Sequence, residues 1–176
     1  MIEVTYKDHM GSDLSVVNAA RVSFGKESLW NWSKELDSGT GDGRTLKESD
    51  TKLIKYLAKH RHMSPFGHAF ASFHVKAPIF VARQLVKHKF LRWNEISRRY
   101  VDDDPEFYVP DAWRGRSVDK KQGSDGVVGT DTLVGSSDYN DHCKAFYQDL
   151  IDSDIAPEQA RMVLPQSTMT EWYWSG

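Results

Sequence analysis

The residues best equipped to bind an anion lie in one short segment, "KHKFLRWNEISRRY", which spans residues 87–100. It combines lysines, arginines and a histidine with an amide, a carboxylate (Glu95) and a hydroxyl (Ser97). Arginine grips phosphate with parallel N–H groups, serine adds a hydroxyl donor, and glutamate can orient an arginine or hold a ribose or base edge. This mixture favours nucleotide binding, although a solvated helix face would have a similar composition.

The spacing of the donors just before and within this segment predicts that they share stripes of a helix. Gln84 and His88 are four residues apart, as are Arg83 and Lys87, and the preceding run "APIFVARQLV" is apolar. Residues four apart lie on the same face of a helix. We therefore expect a helix with one buried face and one face that presents polar donors.

Other groups of potentially reactive side chains do not predict a site. Cys143 adjoins His142, but neighbours on a helix point in different directions, so a paired nucleophile is not expected. The Gly-rich stretches lack the phosphate-loop spacings, and the histidines lack any His-Glu-x-x-His pattern, so we predict no metal site. Five of the seven histidines nevertheless fall within 29 residues: His60, His62, His68, His74 and His88.

Length and composition restrict the class of protein. The chain has 176 residues, six Trp and a net charge of −2, which predicts a globular chain and excludes a generally basic nucleic-acid binder. No apolar stretch approaches twenty residues, and the N-terminus lacks the zones of a signal peptide. A single cysteine excludes an internal disulfide and suits a reducing compartment. We expect a cytoplasmic protein without a membrane segment.

Strand and helix patterns intermix along the chain without a βαβ rhythm, which predicts an α+β fold with a mixed or antiparallel sheet flanked by helices. We expect one domain over residues 1–176, with a Gly/Ser-rich mobile loop at about 115–138. The predicted strands cover residues 1–9, 68–76 and 167–176, and an extended segment covers 102–113. The predicted helices cover 13–24 (capped by Asp13 or Ser15), 49–60 (from Ser49 or Asp50), 78–86 (from Pro78), 138–153 and a segment from Pro157.

The segment 87–100 resembles the signature of the flavin-dependent thymidylate synthases, Arg-His-Arg-x-x-Ser-x-Asn-x-x-Ser-x-Arg-Tyr. Lysines stand here for two of its arginines, and Arg92 stands for its first serine. The blocks "AARVSFGK", "HMSPFGHAFASFHVKAPIFVARQ", "EFYVPD" and "ARMVLP" also resemble family segments, in the same order. The matching signature residues are His88, Asn94, Ser97, Arg99 and Tyr100.

This resemblance implies the activity and the partners. Members of the family convert dUMP to dTMP with methylenetetrahydrofolate as one-carbon donor and NADPH-reduced FAD as hydride source, and no cysteine attacks the pyrimidine. The flavin carries the redox chemistry and the protein positions the reactants. The resemblance also implies an α+β fold and a homotetramer with active sites at subunit junctions, without nucleic-acid or membrane partners.

The resemblance also implies the binding residues, carried over position by position. Arg99 and Arg161 are expected to neutralise charge, and Ser97 to donate to the phosphate. Glu95 could instead pair only with Arg99, and Arg161 could simply cap the following turn. The implied dUMP ligands are Gln84, Lys87, Glu95, Ser97, Arg98, Arg99 and Arg161. The implied FAD ligands are Ser64, Lys87, His88, Lys89 and Glu95, with Ser23 as a weaker candidate.

Three departures from the family pattern leave alternatives open. Lys87 and Lys89 keep the charge of arginine but lose its planar fork, and Gly67 replaces a glutamate that is common in the family. The sequence stops at Gly176, before the family's flavin-contacting Asn-x-Arg and its C-terminal helical region with a further arginine, so we assign no catalytic residue. A catalytically impaired member that keeps assembly and nucleotide binding is one alternative. A single-stranded nucleic-acid-binding module is another, because aromatic residues flank the basic segment.

Overall fold

The computed structural model describes residues 1–32, 43–101, 103–121, 123–128 and 136–176. Residue contacts divide the chain into two compact units. The first unit comprises residues 1–4, 75–89 and 93–173, and the second comprises 5–74, 90–92 and 174–176. The prediction that the whole chain forms one domain stays a prediction.

The fold is α+β, as the sequence predicts. The main sheet has four strands in the order β1-β4-β8-β5, and two small antiparallel sheets pair β2 with β3 and β6 with β7. The strands are β1 Glu3–Met10, β2 Asn31–Trp32, β3 Arg44–Thr45, β4 Phe70–Pro78, β5 Arg92–Glu95, β6 Arg114–Arg116, β7 Ser124–Val127 and β8 Met169–Ser175. The helices are α1 Asp13–Arg21, α2 Glu48–Lys59, α3 Ile79–Leu85, α4 Ser136–Asp152 and α5 Pro157–Ala160. Short 3-10 turns cover Val22–Phe24, Ser64–His68 and Arg161–Val163.

The second unit is organised around a buried acid, Asp50, in the first turn of α2. Its carboxylate is fully buried and accepts hydrogen bonds from the Arg21 guanidinium at the end of α1 and from the Ser28 hydroxyl. Asn18 fixes the same loop: its Oδ1 accepts from the Ser28 N–H at 2.7 Å and its amide donates to the Ser28 carbonyl at 3.1 Å. These contacts join α1, α2 and the loop between them.

The pKa of Asp50 reflects this environment. Burial alone would raise it, but the hydrogen bonds from Ser28 and Arg21, together with the charge of Arg21, outweigh burial and hold the pKa below its ordinary value. Asp50 is therefore an ionised structural group in the folded protein.

In the first unit, large aromatic side chains fill the core. Trp172 on β8 and Tyr147 on α4 are almost completely buried, at 1% and 0% exposure. Trp93 on β5 stacks on Trp172 with 4.5 Å between ring centroids, which ties the signature segment to the last strand. Cys143, one turn before Tyr147 on α4, is also buried. In the parts of the chain that the structure describes, the Tyr147 hydroxyl and the Trp172 indole N–H have no hydrogen-bond partner.

Helix α3 is shorter than the sequence predicts. It ends at Leu85 with Val86 as C-cap, and Pro78 precedes its first residue as N-cap. The predicted helical stripes that pair Gln84 with His88 and Arg83 with Lys87 are therefore wrong. Lys87 and His88 lie beyond the helix in a turn that leads into β5. Residues 87–89 are all exposed, so no buried apolar face stabilises a longer helix beyond Leu85.

Three other boundaries differ from the sequence-based predictions. Helix α1 is capped by Ser12, whose N–H donates to the Ser15 hydroxyl at 3.1 Å, and it ends at Arg21 before a 3-10 turn. Helix α2 starts at Glu48 after Lys47. Strand β4 begins only at Phe70 because a 3-10 turn precedes it.

The predicted 115–138 loop is only partly irregular. It contains strand β7, which pairs with β6, and it overlaps the start of α4 at its C-terminal end. Residues 122 and 129–135 of this predicted loop lie outside the described residues. The predicted mobility of the 115–138 segment stays a prediction.

Candidate functional site

A pocket of about 160 Å³ opens in the first unit, and residues of the signature segment line it. Four cationic side chains and five carboxylates surround it, alongside apolar and hydroxyl groups. The lining residues used below are Lys76, Arg83, Glu95, Arg98, Arg161 and Thr170. We call this the Arg161 pocket. Its walls come from β4, α3, β5, β8 and the turn after α5, so residues distant in sequence meet there.

Glu95 at the end of β5 accepts four hydrogen bonds in the Arg161 pocket. Its two oxygens accept a two-point contact from Arg83 on α3, with N···O distances of 3.0 and 3.1 Å. The indole N–H of Trp93 donates to the same carboxylate at 3.1 Å, and the Thr170 hydroxyl donates at 2.8 Å. The alternative that Glu95 pairs with Arg99 is wrong, because its cationic partner is Arg83.

Arg98 and Lys76 are pocket cations with acidic neighbours. Arg98 is 17% exposed and donates to the Asp103 backbone carbonyl at 2.8 Å, while the Asp103 carboxylate lies 3.9 Å away. Lys76 forms an ion pair with Glu106 at 2.7 Å. The hydrogen bond with Glu106 raises the pKa of Lys76, and the same hydrogen bond lowers the pKa of Glu106. Both groups are therefore charged near neutral pH.

Arg161 differs from the other pocket cations. Its Nε donates to the backbone carbonyl of Glu158 at 3.3 Å, and within the described part of the chain no carboxylate lies at ion-pair distance from it. The contact is to the turn that precedes Arg161, not to the turn that follows it. The Glu158 carboxylate lies instead 3.8 Å from Nε of Arg99, and both of these side chains are about half exposed. Arg161 is therefore the pocket cation best able to meet an external anion.

The structure places the predicted ligand residues in four locations. Glu95, Arg98 and Arg161 line the Arg161 pocket, whereas Arg99 and Ser97 lie next to Arg98 in sequence but are not among its lining residues. The exposed group beyond α3 contains Gln84, Lys87, His88 and Lys89, and the Lys87 ammonium donates to the Gln84 side chain at 3.0 Å. Ser64 and Ser23 are exposed in the second unit, each in a 3-10 turn.

The sequence-based assignment did not include several residues of the Arg161 pocket. The sequence predicts Arg83 as a polar donor of the helix before the signature segment but not as a ligand residue, and it gives no signal for Lys76 or Thr170. Their side chains reach the pocket because β4, α3 and β8 meet there, and no local spacing reveals such a meeting. The hydroxyl of Thr170 could not have been linked to Glu95, since 75 positions separate them.

A second pocket lies in the second unit, between the start of α1 and strand β3. His9, Ser12, Trp30 and Arg44 are among its lining residues. The Arg44 guanidinium lies 5.6 Å from the centroid of the Trp30 ring. None of the predicted ligand residues lines this pocket.

The described residues contain no group of three or more His, Cys, Asp or Glu side chains placed to hold a metal ion. In the same ranges, no helix combines the length and the apolar character needed to cross a membrane.

Comparison with known proteins places this geometry in a family. The family model described as thymidylate synthase complementing protein matches residues 6–176. The flavin-dependent thymidylate synthase of Thermus thermophilus is 42% identical over 168 residues, which cover 95% of this chain and 56% of that protein. The corresponding protein of Thermosipho africanus is 40% identical over 174 residues, which cover 96% of this chain and 68% of that protein. This chain therefore spans little more than half of the Thermus relative.

Solved structures agree with the sequence comparison. The UMP/dUMP methylase PolB from Streptomyces cacaoi, bound with 5-Br UMP, superposes with a TM-score of 0.76 at 36% identity. The match covers 99% of this chain and 71% of that chain. A second structure of PolB, bound with 5-Br dUMP, gives a TM-score of 0.77 at 35% identity. From the family match over residues 6–176 and these relatives, we conclude that the chain belongs to the thymidylate synthase complementing protein family, the flavin-dependent thymidylate synthases.

Proposed function

We propose that this chain acts in the synthesis of dTMP from dUMP, with methylenetetrahydrofolate as the one-carbon donor and NADPH-reduced FAD as the hydride source. The observation that carries the proposal is the meeting of Arg98, from the signature segment, with Arg161 at one pocket. Two guanidinium groups from distant parts of the chain suit a phosphate monoester, which arginine binds with paired N–H donors. The similarity to PolB, a UMP/dUMP methylase, supports a uridine monophosphate as the nucleotide.

In this proposal the Arg161 pocket holds the nucleotide. Arg161 receives the phosphate because no carboxylate at ion-pair distance competes for its guanidinium within the described residues. Arg98 adds a second guanidinium, whose closest contact is a backbone carbonyl and not a carboxylate. Ser97 and Arg99 contribute donors from the adjacent turn. The backbone N–H of Arg99 donates to the Ser97 hydroxyl oxygen at 3.3 Å. Gln84 and Lys87 are proposed to complete the dUMP site.

The exposed group beyond α3 fits part of a flavin dinucleotide. Lys87, His88 and Lys89 follow one another on the surface and offer two ammonium groups and an imidazole, which can donate to diphosphate oxygens. We propose these three residues as FAD ligands. Ser64, which lies in the second unit, stays a ligand residue that the family resemblance implies. Bound FAD would supply the hydride, and the protein residues would hold and orient the cofactor. Assembly as a homotetramer and a cytoplasmic location belong to the same proposal.

Flavin and nucleotide binding test the proposal directly. Purified protein incubated with FAD should retain bound flavin after gel filtration, visible as an absorption band in the blue, and it should bind dUMP in a calorimetric titration. Turnover is tested by adding methylenetetrahydrofolate and NADPH and measuring dTMP. Flavin and dUMP binding without dTMP would identify a catalytically impaired member of the family.

The Arg161→Gln variant tests the pocket itself. It should lower dUMP affinity by about 1.5–3 kcal/mol, the usual contribution of a hydrogen bond to a charged group. The control is Arg114→Gln, because Arg114 lies on β6 and contacts the Ser124 hydroxyl at 2.8 Å, away from the pocket lining. Salt-sensitive binding of an oligonucleotide, combined with no affinity for dUMP or FAD, would favour a nucleic-acid-binding module and refute the proposal.

A further inference from the structure

We propose that Arg83 is an additional ligand residue of the Arg161 pocket, that Glu95 positions it, and that it donates to an uncharged carbonyl oxygen of the pyrimidine base. The phosphate is left to Arg161 and Arg98. This inference rests on the proposed function, because it requires that a pyrimidine nucleotide occupies the pocket. It assigns base recognition to α3 and phosphate recognition to the segments that carry Arg98 and Arg161.

The hydrogen-bonding capacity of the Glu95 carboxylate is already used by protein donors. One oxygen accepts from Arg83 and from the Thr170 hydroxyl, and the other accepts from Arg83 and from the Trp93 indole. Two hydrogen bonds to each oxygen use the lone-pair sites that a carboxylate offers. The Glu95 side chain is also only 15% exposed. A ligand would have to displace one of these contacts to bind Glu95, so its main role is to fix Arg83.

Arg83 keeps N–H donors available for a ligand. Its contact with Glu95 takes one N–H from each terminal nitrogen, and the other N–H groups of the guanidinium point elsewhere. The Arg83 side chain is 51% exposed and lines the Arg161 pocket. The two-point contact prevents rotation of the planar group, so the remaining donors have a defined direction before a ligand arrives.

The surrounding charge distinguishes Arg83 from Arg161 as a ligand residue. The Arg83–Glu95 pair is neutral as a unit, so a phosphate dianion near Arg83 would also meet the Glu95 carboxylate, which lies 3.0 Å from the guanidinium. A carbonyl oxygen carries no net charge and accepts hydrogen bonds without that repulsion. Within the described residues Arg161 has no such carboxylate partner. The two arginines are therefore suited to different acceptors, Arg83 to a neutral one and Arg161 to an anion.

The residues that donate to Glu95 from β5 and β8 are anchored in the core. Trp93 stacks on the buried Trp172, and Thr170 is itself buried on β8. Glu95 is thus held from both β5 and β8, while Arg83 reaches it from α3. A pair anchored in this way keeps its geometry better than a surface ion pair, which usually gains little from its partner.

The test compares dUMP with inorganic phosphate on the full chain. Calorimetry measures dUMP affinity, and phosphorus NMR titration measures phosphate affinity, for wild type, Arg83→Gln, Arg83→Lys and Glu95→Gln. Arg83→Gln should weaken dUMP binding by roughly ten- to a hundredfold. Phosphate affinity should fall by a clearly smaller factor, because the Glu95 carboxylate then lacks its cationic partner and repels the anion. Arg83→Lys should fail to restore dUMP affinity, because an ammonium group cannot make the planar two-point contact.

Glu95→Gln gives a readout that simple loss of structure would not give. It removes a negative charge and loosens Arg83, so phosphate should bind more tightly while dUMP binds more weakly. Arg114→Gln is the matched control and should change neither affinity, and thermal unfolding of each variant checks that it folds.

Two results would overturn the inference while the proposed function stands. One is wild-type dUMP affinity in Arg83→Gln. The other is a loss of phosphate affinity equal to the loss of dUMP affinity, since Arg83 would then be a phosphate ligand. If the wild-type chain binds neither FAD nor dUMP, the proposed function fails and this inference fails with it.

Discussion

Replacement of the buried Asp50 by asparagine should strongly destabilise the protein. The side chain keeps its shape, but Arg21 and Ser28 lose the charged acceptor to which both donate. Breaking a buried ion pair by neutralising one partner typically costs about 3–5 kcal/mol. Arg21 is 24% exposed and can recover some hydration, whereas Asp50 is fully buried. We therefore expect a loss near the lower end, about 3 kcal/mol.

Urea denaturation monitored by tryptophan fluorescence and by circular dichroism measures this loss. The matched control is Glu48→Gln, two positions earlier on α2, where the exposed carboxylate pairs with Lys52 across one helical turn. That control should change the free energy of unfolding by less than about 0.5 kcal/mol. If Asp50→Asn costs no more than the control, the buried cluster does not stabilise the second unit as we argue.

The pH dependence gives an independent check on the same residue. The pKa of Asp50 is lower in the folded protein than its ordinary value of 3.8. Its contribution to stability is therefore complete above the unfolded pKa and disappears as the pH falls through the folded pKa. The stability difference between wild type and Asp50→Asn should be constant near neutral pH and should shrink below about pH 4. A difference that grows on acidification would contradict the assigned direction of the shift.

Three further substitutions test other parts of the structure. Gly11→Ala should lower the free energy of unfolding by at least about 2 kcal/mol, because Gly11 has φ +77° and a Cβ there would lie 2.3 Å from the His68 carbonyl oxygen. The control is Gly25→Ala, where φ is +62° but the space around the Cβ is open, and it should cost about 1 kcal/mol. Thermal unfolding measures both variants. Trp172→Phe should cost about 1–3 kcal/mol in urea denaturation, since the smaller ring leaves space beside Trp93; an unchanged midpoint would refute this packing. Arg99→Ala should weaken dUMP binding by about 1.5–3 kcal/mol if the predicted charge-assisted contact forms, and an unaltered titration would remove Arg99 from the proposed site.

The regular elements were predictable where a local pattern is strong. Strand β1 overlaps the strand predicted at residues 1–9, and α2 overlaps the helix predicted at 49–60. The end of α3 was not predictable from spacing, because the donors at Gln84 and His88 fit a helix equally well. Helix propensity and spacing are local properties, whereas burial decides where a short helix stops.

The candidate site was predictable only in part, for a related reason. The signature indicated Glu95 and Arg98, and the family resemblance indicated Arg161, and all three line one pocket. The partner of Glu95 was not predictable, because Arg83 and Arg99 are both arginines within reach in sequence. The contact of Thr170 with Glu95 depends on β8 and β5 being neighbours in the sheet, which no local pattern records.

Because Cys143 is buried, the reactivity of its thiol can report local opening of the protein. It is the single thiol of the sequence, and it lies buried within α4. A thiol reagent can modify it only when that helix moves away from its neighbours, so the labelling rate measures how often α4 opens. A cysteine introduced at an exposed position would be labelled far faster, which allows a fluorescent group to be attached selectively without removing the native thiol.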